Sequence, residues 1–271
     1  MRSFLIGALR ARLARRSAPL PPCELKQHAI VFAPHPDDET LGCGGSIRIR
    51  REAGGRVQVA FLTDGAASHA HVSRRELSDM RRQEALEAAS VLGVEEREVY
   101  FFGFPDGDLS SHHTHATERV RALLRLHEPD VIYVPHREDG PADHRVTTQV
   151  VLDAARDARP RVTVFEYPVW LWHSFPWVGA NVGRGLIADV LTQRRLFREL
   201  STVVPLHGTH ATKLRALDCY VSQMAAPRGA RRWATLGDVA GGDFLRALLT
   251  DHEYFHRYEL YEGRAMRRGE R

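Results

Sequence analysis

HAIVFAPHPDDETLGCGG, residues His28 to Gly45, sets a strand-like apolar run directly against titratable side chains and then a cluster of glycines. His35, Asp37, Asp38 and Glu39 fall within five residues, and four such groups at the mouth of a strand are poor core material. Four similar β-branched and aromatic runs follow: VQVAFLT (57–63), VYFFGF (99–104), VIYVP (131–135) and VTVFEYP (162–168). Between them lie segments of helical periodicity, clearest in RRELSDMRRQEALEAASVLGV (74–94), which ends at the Gly93 stop signal. Alternating strands and helices predict a Rossmann-like α/β fold, with a mainly parallel sheet covered by helices on both faces. Ligands of such open sheets bind beyond the carboxyl ends of the strands. HPDDE, TDGAASH, PDGDL and HREDGPADH each follow one of the first four strands, so the polar clusters are expected to meet in one crevice.

After about Val169 the pattern loosens into a section expected to complete the pocket. It holds helical segments at Leu186–Leu200 and Thr209–Met224 and a late strand in EYFHRYELY. His112, His113 and His115 are expected in a surface loop leading to a helix around Thr117–Leu126, capped by Thr114 or Thr117. Among Trp170, Trp172, Phe175 and Trp177, packing in the core is favoured over stacking on a sugar ring.

The chain has 271 residues, 43% of them hydrophobic, enough for a substantial core. The net charge of +4 does not mark a nucleic-acid protein: lysine occurs only at positions 26 and 213, the arginines are scattered, and no helix-turn-helix or RNA-binding signature is present. No apolar run approaches the roughly 18 residues of a membrane span. The opening MRSFLIGALRARLARRSAPLPP puts arginines after a short apolar core, unlike a secretory signal. Residues 1–22 are thus expected to be a basic segment, helical or mobile, that can touch an anionic membrane surface, with a single domain over 23–271. Three dispersed cysteines without a C-x-x-C pair fit a reducing, cytoplasmic location.

Histidine and carboxylate are zinc ligands, and a catalytic zinc keeps three protein ligands and one open position. His35 and Asp38, three residues apart on a turn, can face one ion, and Asp37 between them can act as general base toward an activated water. His144, where the helix after the fourth strand begins, is placed to be the third ligand, giving one zinc per chain. Helix capping by Asp37 or Asp38 is the competing reading, but two carboxylates and a histidine exceed what a cap needs. The GCGG stretch lacks the spacing of a phosphate cradle and reads as a tight turn with close helix packing, and Cys43 as a small buried residue.

These residues resemble the PIG-L/LmbE-like family of zinc-dependent de-N-acetylases acting on N-acetylglucosamine conjugates. The resemblance runs through APHPDDETLGCGG, VAFLTDG, RRQEALEAASVLGV, FFGFPDGDL and DGPADHRVT, with KLRALDCYVSQ further on. It implies His35, Asp38 and His144 as zinc ligands, Asp37 as general base, and Arg81 and Asp106 at substrate-binding positions. In the family's H-P-D-H motif the first histidine is here Pro141, while Asp143, expected to be catalytic, and His144 are retained. Either His136, His69 or a C-terminal residue takes the missing histidine's place at the substrate, a small molecule or glycoconjugate, or the zinc alone polarises the carbonyl. The implied reaction is hydrolysis of an acetamide, in which Asp37 takes a proton from water and can return it to the departing amine. Two alternatives stay open: a metal phosphoesterase, which would hold two metals, and a silent metal-stabilised sugar-binding module, which would bind without releasing acetate.

Overall fold

The strand that ends at the HPDDE turn is β2 (Ala29–Ala33), and every one of its residues is buried. In the computed structural model, which describes residues 2–179, 185–226, 233–261 and 264–266, it is an interior strand of a nine-stranded sheet. The other strands are β1 (Ala18–Pro19), β3 (Val57–Thr63), β4 (Val99–Phe104), β5 (Val131–Pro135), β6 (Arg161–Tyr167), β7 (Thr202–Pro205), β8 (His252–Tyr261) and β9 (Arg264–Met266). Their order is β1-β7-β8-β6-β5-β2-β3-β4, with β9 paired to β8. β6, β5, β2, β3 and β4 run parallel; β8 is antiparallel to β6, β7 and β9. Ala29 stands opposite both Val57 and Val131, so the carboxyl ends of β2, β3, β4 and β5 share one edge.

The helices are α1 (Arg2–Arg16), α2 (Asp38–Glu52), α3 (Arg74–Leu92), α4 (His113–His127), α5 (Ala142–Ala158), α6 (Leu186–Glu199), α7 (His210–Asp218), α8 (Val221–Met224) and α9 (Asp243–Leu248). Period-2 geometry divides β2 between two cores: Ala29, Val31 and Ala33 join the cluster under α2, α3 and α7, while Ile30 and Phe32 join the one under α4 and α5. Both faces are covered, as continuous apolar strands require.

Local chemistry explains the element ends. Ser73 and Glu76 close a capping box on α3, and Gly93 terminates it with a left-handed φ of 87°. α4 starts at His113, earlier than its sequence pattern suggests, so His113 and His115 are helical rather than in a loop and no threonine side chain caps it. The expected helix over Thr209–Met224 is two, broken at Cys219–Tyr220, where the Tyr220 hydroxyl turns inward to Glu39.

α2 contains three glycines that disfavour a helix. A Cβ on Gly42 would collide with the Tyr167 ring of β6, and one on Gly45 with Leu206 after β7. They let α2 lie flat on the sheet, which aims its first turn at the strand ends. A buried carboxylate anchors the same helix: Glu253 of β8 accepts from Gly45 N–H, Ser46 N–H and Lys213 Nζ, the last at 2.8 Å.

At the N-terminus, Leu13 of α1 and Leu20 belong to the first core and β1 pairs with β7. Among the described residues no helix is long and apolar enough to cross a membrane.

Candidate functional site

At the shared edge, Asp38 Oδ2 lies 3.1 Å from His35 Nδ1 and 3.2 Å from His144 Nε2. Two ligands of a tetrahedral zinc with bonds of about 2.0–2.1 Å stand about 3.3 Å apart, so these separations suit a shared ion. The outer atoms of both rings are engaged. His144 Nδ1 donates to Asp139 Oδ2 at 2.9 Å, and His35 Nε2 faces Asp106 Oδ1 at 3.1 Å and Asp143 Oδ2 at 3.4 Å. Those carboxylates fix the outer ring nitrogens as donors, so that loss of the inner proton from each ring turns the His35 Nδ1 and His144 Nε2 lone pairs toward Asp38. His144 Nε2 is buried without a hydrogen-bond partner despite its nearness to Asp38, as a ligand atom directed at an ion would be. Two imidazoles, one carboxylate and an open side fit a catalytic divalent metal.

Asp37 sits at the N-cap position of α2, yet its side chain caps nothing. Its φ of 129° is strained for a residue with a Cβ. The strain turns the carboxylate away from the helix to Arg81, whose Nη2 donates to Asp37 Oδ2 at 3.0 Å and to Pro36 O, while Nη1 donates to Gly65 O at 2.8 Å. Arg81, expected at the substrate, therefore clamps the turns after β2 and β3 and holds Asp37. Three residues on, Glu84 accepts the Ser222 N–H and hydroxyl at 2.6 and 2.7 Å, so the R-x-x-E helix joins the first turn to the S-Q segment.

These groups line a cleft of about 280 Å³ with His35, Asp37, Asp38, Arg81 and Asp106 on one side. Pro141, Trp170, Gln223 and Leu236 form other walls, so the C-terminal section completes the pocket. Asp106 accepts Ala67 N–H at 2.8 Å through its second oxygen, which fixes it against His35. Asp143 accepts the amides of Gly107 and Leu109 at 2.7 and 3.3 Å, a position behind His35 rather than in the open cleft.

His136 is not brought to the cleft. It is wholly buried, with Nε2 3.0 Å from Glu199 of α6 and 3.9 Å from Glu166 of β6. The group His136, Glu166 and His256 could by proximity hold another ion. Three contacts argue otherwise: Arg137 already lies 2.7 Å from Glu166 and 3.0 Å from His256 Nδ1, and Glu138 N–H donates to His136 Nδ1, which puts the ring proton on Nε2. His69 is tucked against Trp233, ring centroids 4.0 Å apart, and its Nε2 is 3.2 Å from Ala234 O.

Burial raises the Asp37 carboxyl to about 7, although Arg81 opposes the shift. Burial also acts on Asp38, but His144 and His35 outweigh it and hold that carboxyl well below the usual range. The His144 imidazole, lowered by burial, is brought up to about 9 by Asp38 and Asp139. Adjacent carboxylates so oppositely biased suit different tasks, one able to exchange a proton and one permanently anionic.

Sequence reasoning missed Asp139. It is fully buried and accepts Val169, Trp170 and Leu171 N–H as well as His144 Nδ1. Its only sequence signal is a place in HREDGPADH between two histidines, which Glu138 shares.

Residues 30–155 match the family model PIG-L, GlcNAc-PI de-N-acetylase. The chain is 30% identical over 121 residues to diacetylchitobiose deacetylase of Thermococcus kodakarensis, covering 43% of this chain and 44% of that one. It is 25% identical over 247 residues to 2'-N-acetylparomamine deacetylase of Streptomyces fradiae, covering 78% and 82%. Alignments with two of the curated relatives span 44% and 61% of their own lengths, about half. The structure of N,N'-diacetylchitobiose deacetylase from Pyrococcus horikoshii superposes with a TM-score of 0.58 at 19% identity, over 80% of this chain and 77% of that one, and so shares the fold.

Proposed function

We propose, from the match of residues 30–155 to the PIG-L family model, that the chain is a zinc-dependent hydrolase removing the acetyl group from an N-acetylhexosamine conjugate. The reading is carried by the convergence of His35 Nδ1, Asp38 Oδ2 and His144 Nε2 beside an uncapped Asp37. His35, Asp38 and His144 would hold one zinc, which supplies a Lewis acid and acidifies water.

The protein's own groups do the rest. Asp37 takes the proton of the attacking water as its oxygen adds to the acetamide carbon. It then returns that proton to the nitrogen as the C–N bond breaks, leaving acetate and the free amine. Arg81 keeps Asp37 in place, and Asp139 and Asp143 orient the ligand histidines. Asp106 supports His35 at the substrate side of the cleft, while Pro141, where the family has a histidine, offers no side-chain proton donor. Relatives named for diacetylchitobiose and acetylparomamine support an N-acetylated amino sugar as the substrate class.

Residues 23–271 act as the hydrolytic unit in this reading, with the basic segment 1–22 packed on it through Leu13 and Leu20 and able to contact a membrane. Three free cysteines, of which Cys43 is buried, support a reducing cytoplasmic location. The test is acetate release by the zinc-loaded chain from a panel of N-acetylglucosaminides. Asp37→Asn should bind zinc normally and lose roughly 10²-fold or more in rate. No acetate from any substrate that binds would abandon catalysis in favour of a sugar-binding module.

A further inference from the structure

Five of the nine exposed large apolar side chains among the described residues gather on two helices: Phe4 and Leu5 on α1, and Ile187, Val190 and Leu191 on α6. Phe4 and Ile187 are 83% and 79% exposed. A groove of about 860 Å³ runs between the helices, lined by Leu5, Leu9, Phe175, Val190, Leu191 and Phe197. Arg12, Arg16, Arg194, Arg195 and Arg198 line it too. α1 contains no acidic residue, and the two acids of α6 are drawn inward: Asp189 is 2% exposed, and Glu199 lies against His136 and Arg198. Arg195 pairs with Glu138, while Arg12, Arg16 and Arg194 form no ion pair among the described residues.

Apolar side chains ringed by arginines, with the acids withdrawn, match the two layers of an anionic membrane surface: headgroup phosphates for the guanidinium groups, the acyl boundary for the apolar chains. We propose that the exposed faces of α1 and α6 together form a docking surface for an anionic phospholipid bilayer. A second copy of the chain fits less well, because isologous pairing would set these arginines against one another. The proposal extends the contact read for residues 1–22 to a second helix and does not depend on the hydrolase chemistry; a chain that binds vesicles and releases no acetate would leave it standing.

Truncation is a poor test, because removing residues 1–20 strips Leu13 and Leu20 from the core and β1 from β7. Surface substitutions in the full chain avoid this. Co-sedimentation is measured with vesicles of phosphatidylglycerol and phosphatidylcholine in equal parts, and with phosphatidylcholine alone. The parent should bind the first and not the second, less so as salt rises. Arg12→Gln with Arg194→Gln should weaken partition about 30-fold. Ile187→Ser with Leu191→Ser should weaken it at least about tenfold. Arg97→Gln with Arg125→Gln, an equal charge change on the segment before β4 and on α4 of the opposite layer, should have little effect. Equal binding to both vesicles, or equal losses from the two arginine pairs, would overturn the proposal. So would a stable dimer that Ile187→Ser with Leu191→Ser dissociates.

Discussion

Replacing Asp139 with asparagine changes one atom in a buried hub, and its consequences follow from how four donors share two oxygens. Oδ2 accepts His144 Nδ1 at 2.9 Å and the amides of Val169 and Trp170, while Oδ1 accepts Leu171 N–H at 2.7 Å. A carboxamide offers one acceptor oxygen, so its NH2 must face a donor on one side. If the NH2 meets Leu171, a buried donor–donor clash costs about 1–3 kcal/mol and the His144 bond loses its charge assistance. If it meets His144, the imidazole is driven to the tautomer with the proton on Nε2, which cannot ligate a metal. Either way zinc affinity should fall about 10- to 100-fold, the usual weight of a carboxylate behind a ligand histidine. Chelator competition measures the affinity, and thermal unfolding of the metal-free chain reports the structural part. A variant that melts lower yet binds zinc as tightly as the parent would refute the claim that Asp139 orients His144, and reduce it to a tie between α5 and residues 169–171.

Gly42→Ala should destabilise the chain by about 1–3 kcal/mol, read as a lower denaturant midpoint, because the new methyl meets the Tyr167 ring. Lys213→Met leaves the Glu253 carboxylate buried without its cation and should cost about 3–5 kcal/mol in the same assay; additional loss of Glu253 charge by Glu253→Gln should recover part of it. Glu166 is buried, which would raise its carboxyl, but His256, His136 and Arg137 bring it down to about 2. Its folded-state value is therefore below its unfolded one, and it contributes on the order of 3 kcal/mol above about pH 5 that is lost as pH falls toward 2. Glu166→Gln should flatten the acid limb of the stability–pH profile, and an unchanged limb would contradict that assignment.

Much of this fold was legible because strand burial and helix periodicity are local. VQVAFLT, VYFFGF and VIYVP form strands over those same residues, and Ser73 and Gly93 bound α3 through chemistry confined to a few neighbours. Less was legible where distant partners decide. β1 and β7 are too short to show a pattern and exist through their pairing with each other and, for β7, with β8. Tyr220 breaks a helical run because Glu39, far away in sequence, receives its hydroxyl.

The same division holds at the candidate site. The residue types near HPDDE and PADH, and their places at strand ends, follow from sequence alone, since a parallel sheet delivers those ends to one edge. Which side chains face the cleft does not follow. His136 and His144 look equally available in HREDGPADH, yet one is enclosed by Glu199 and Glu166 while the other is turned by Asp139 toward Asp38. Sequence thus determined the chemistry on offer and the edge that presents it. Tertiary structure alone decided direction and protonation, because a side chain's rotamer and its proton are set by whichever charges and amides the rest of the chain packs around it.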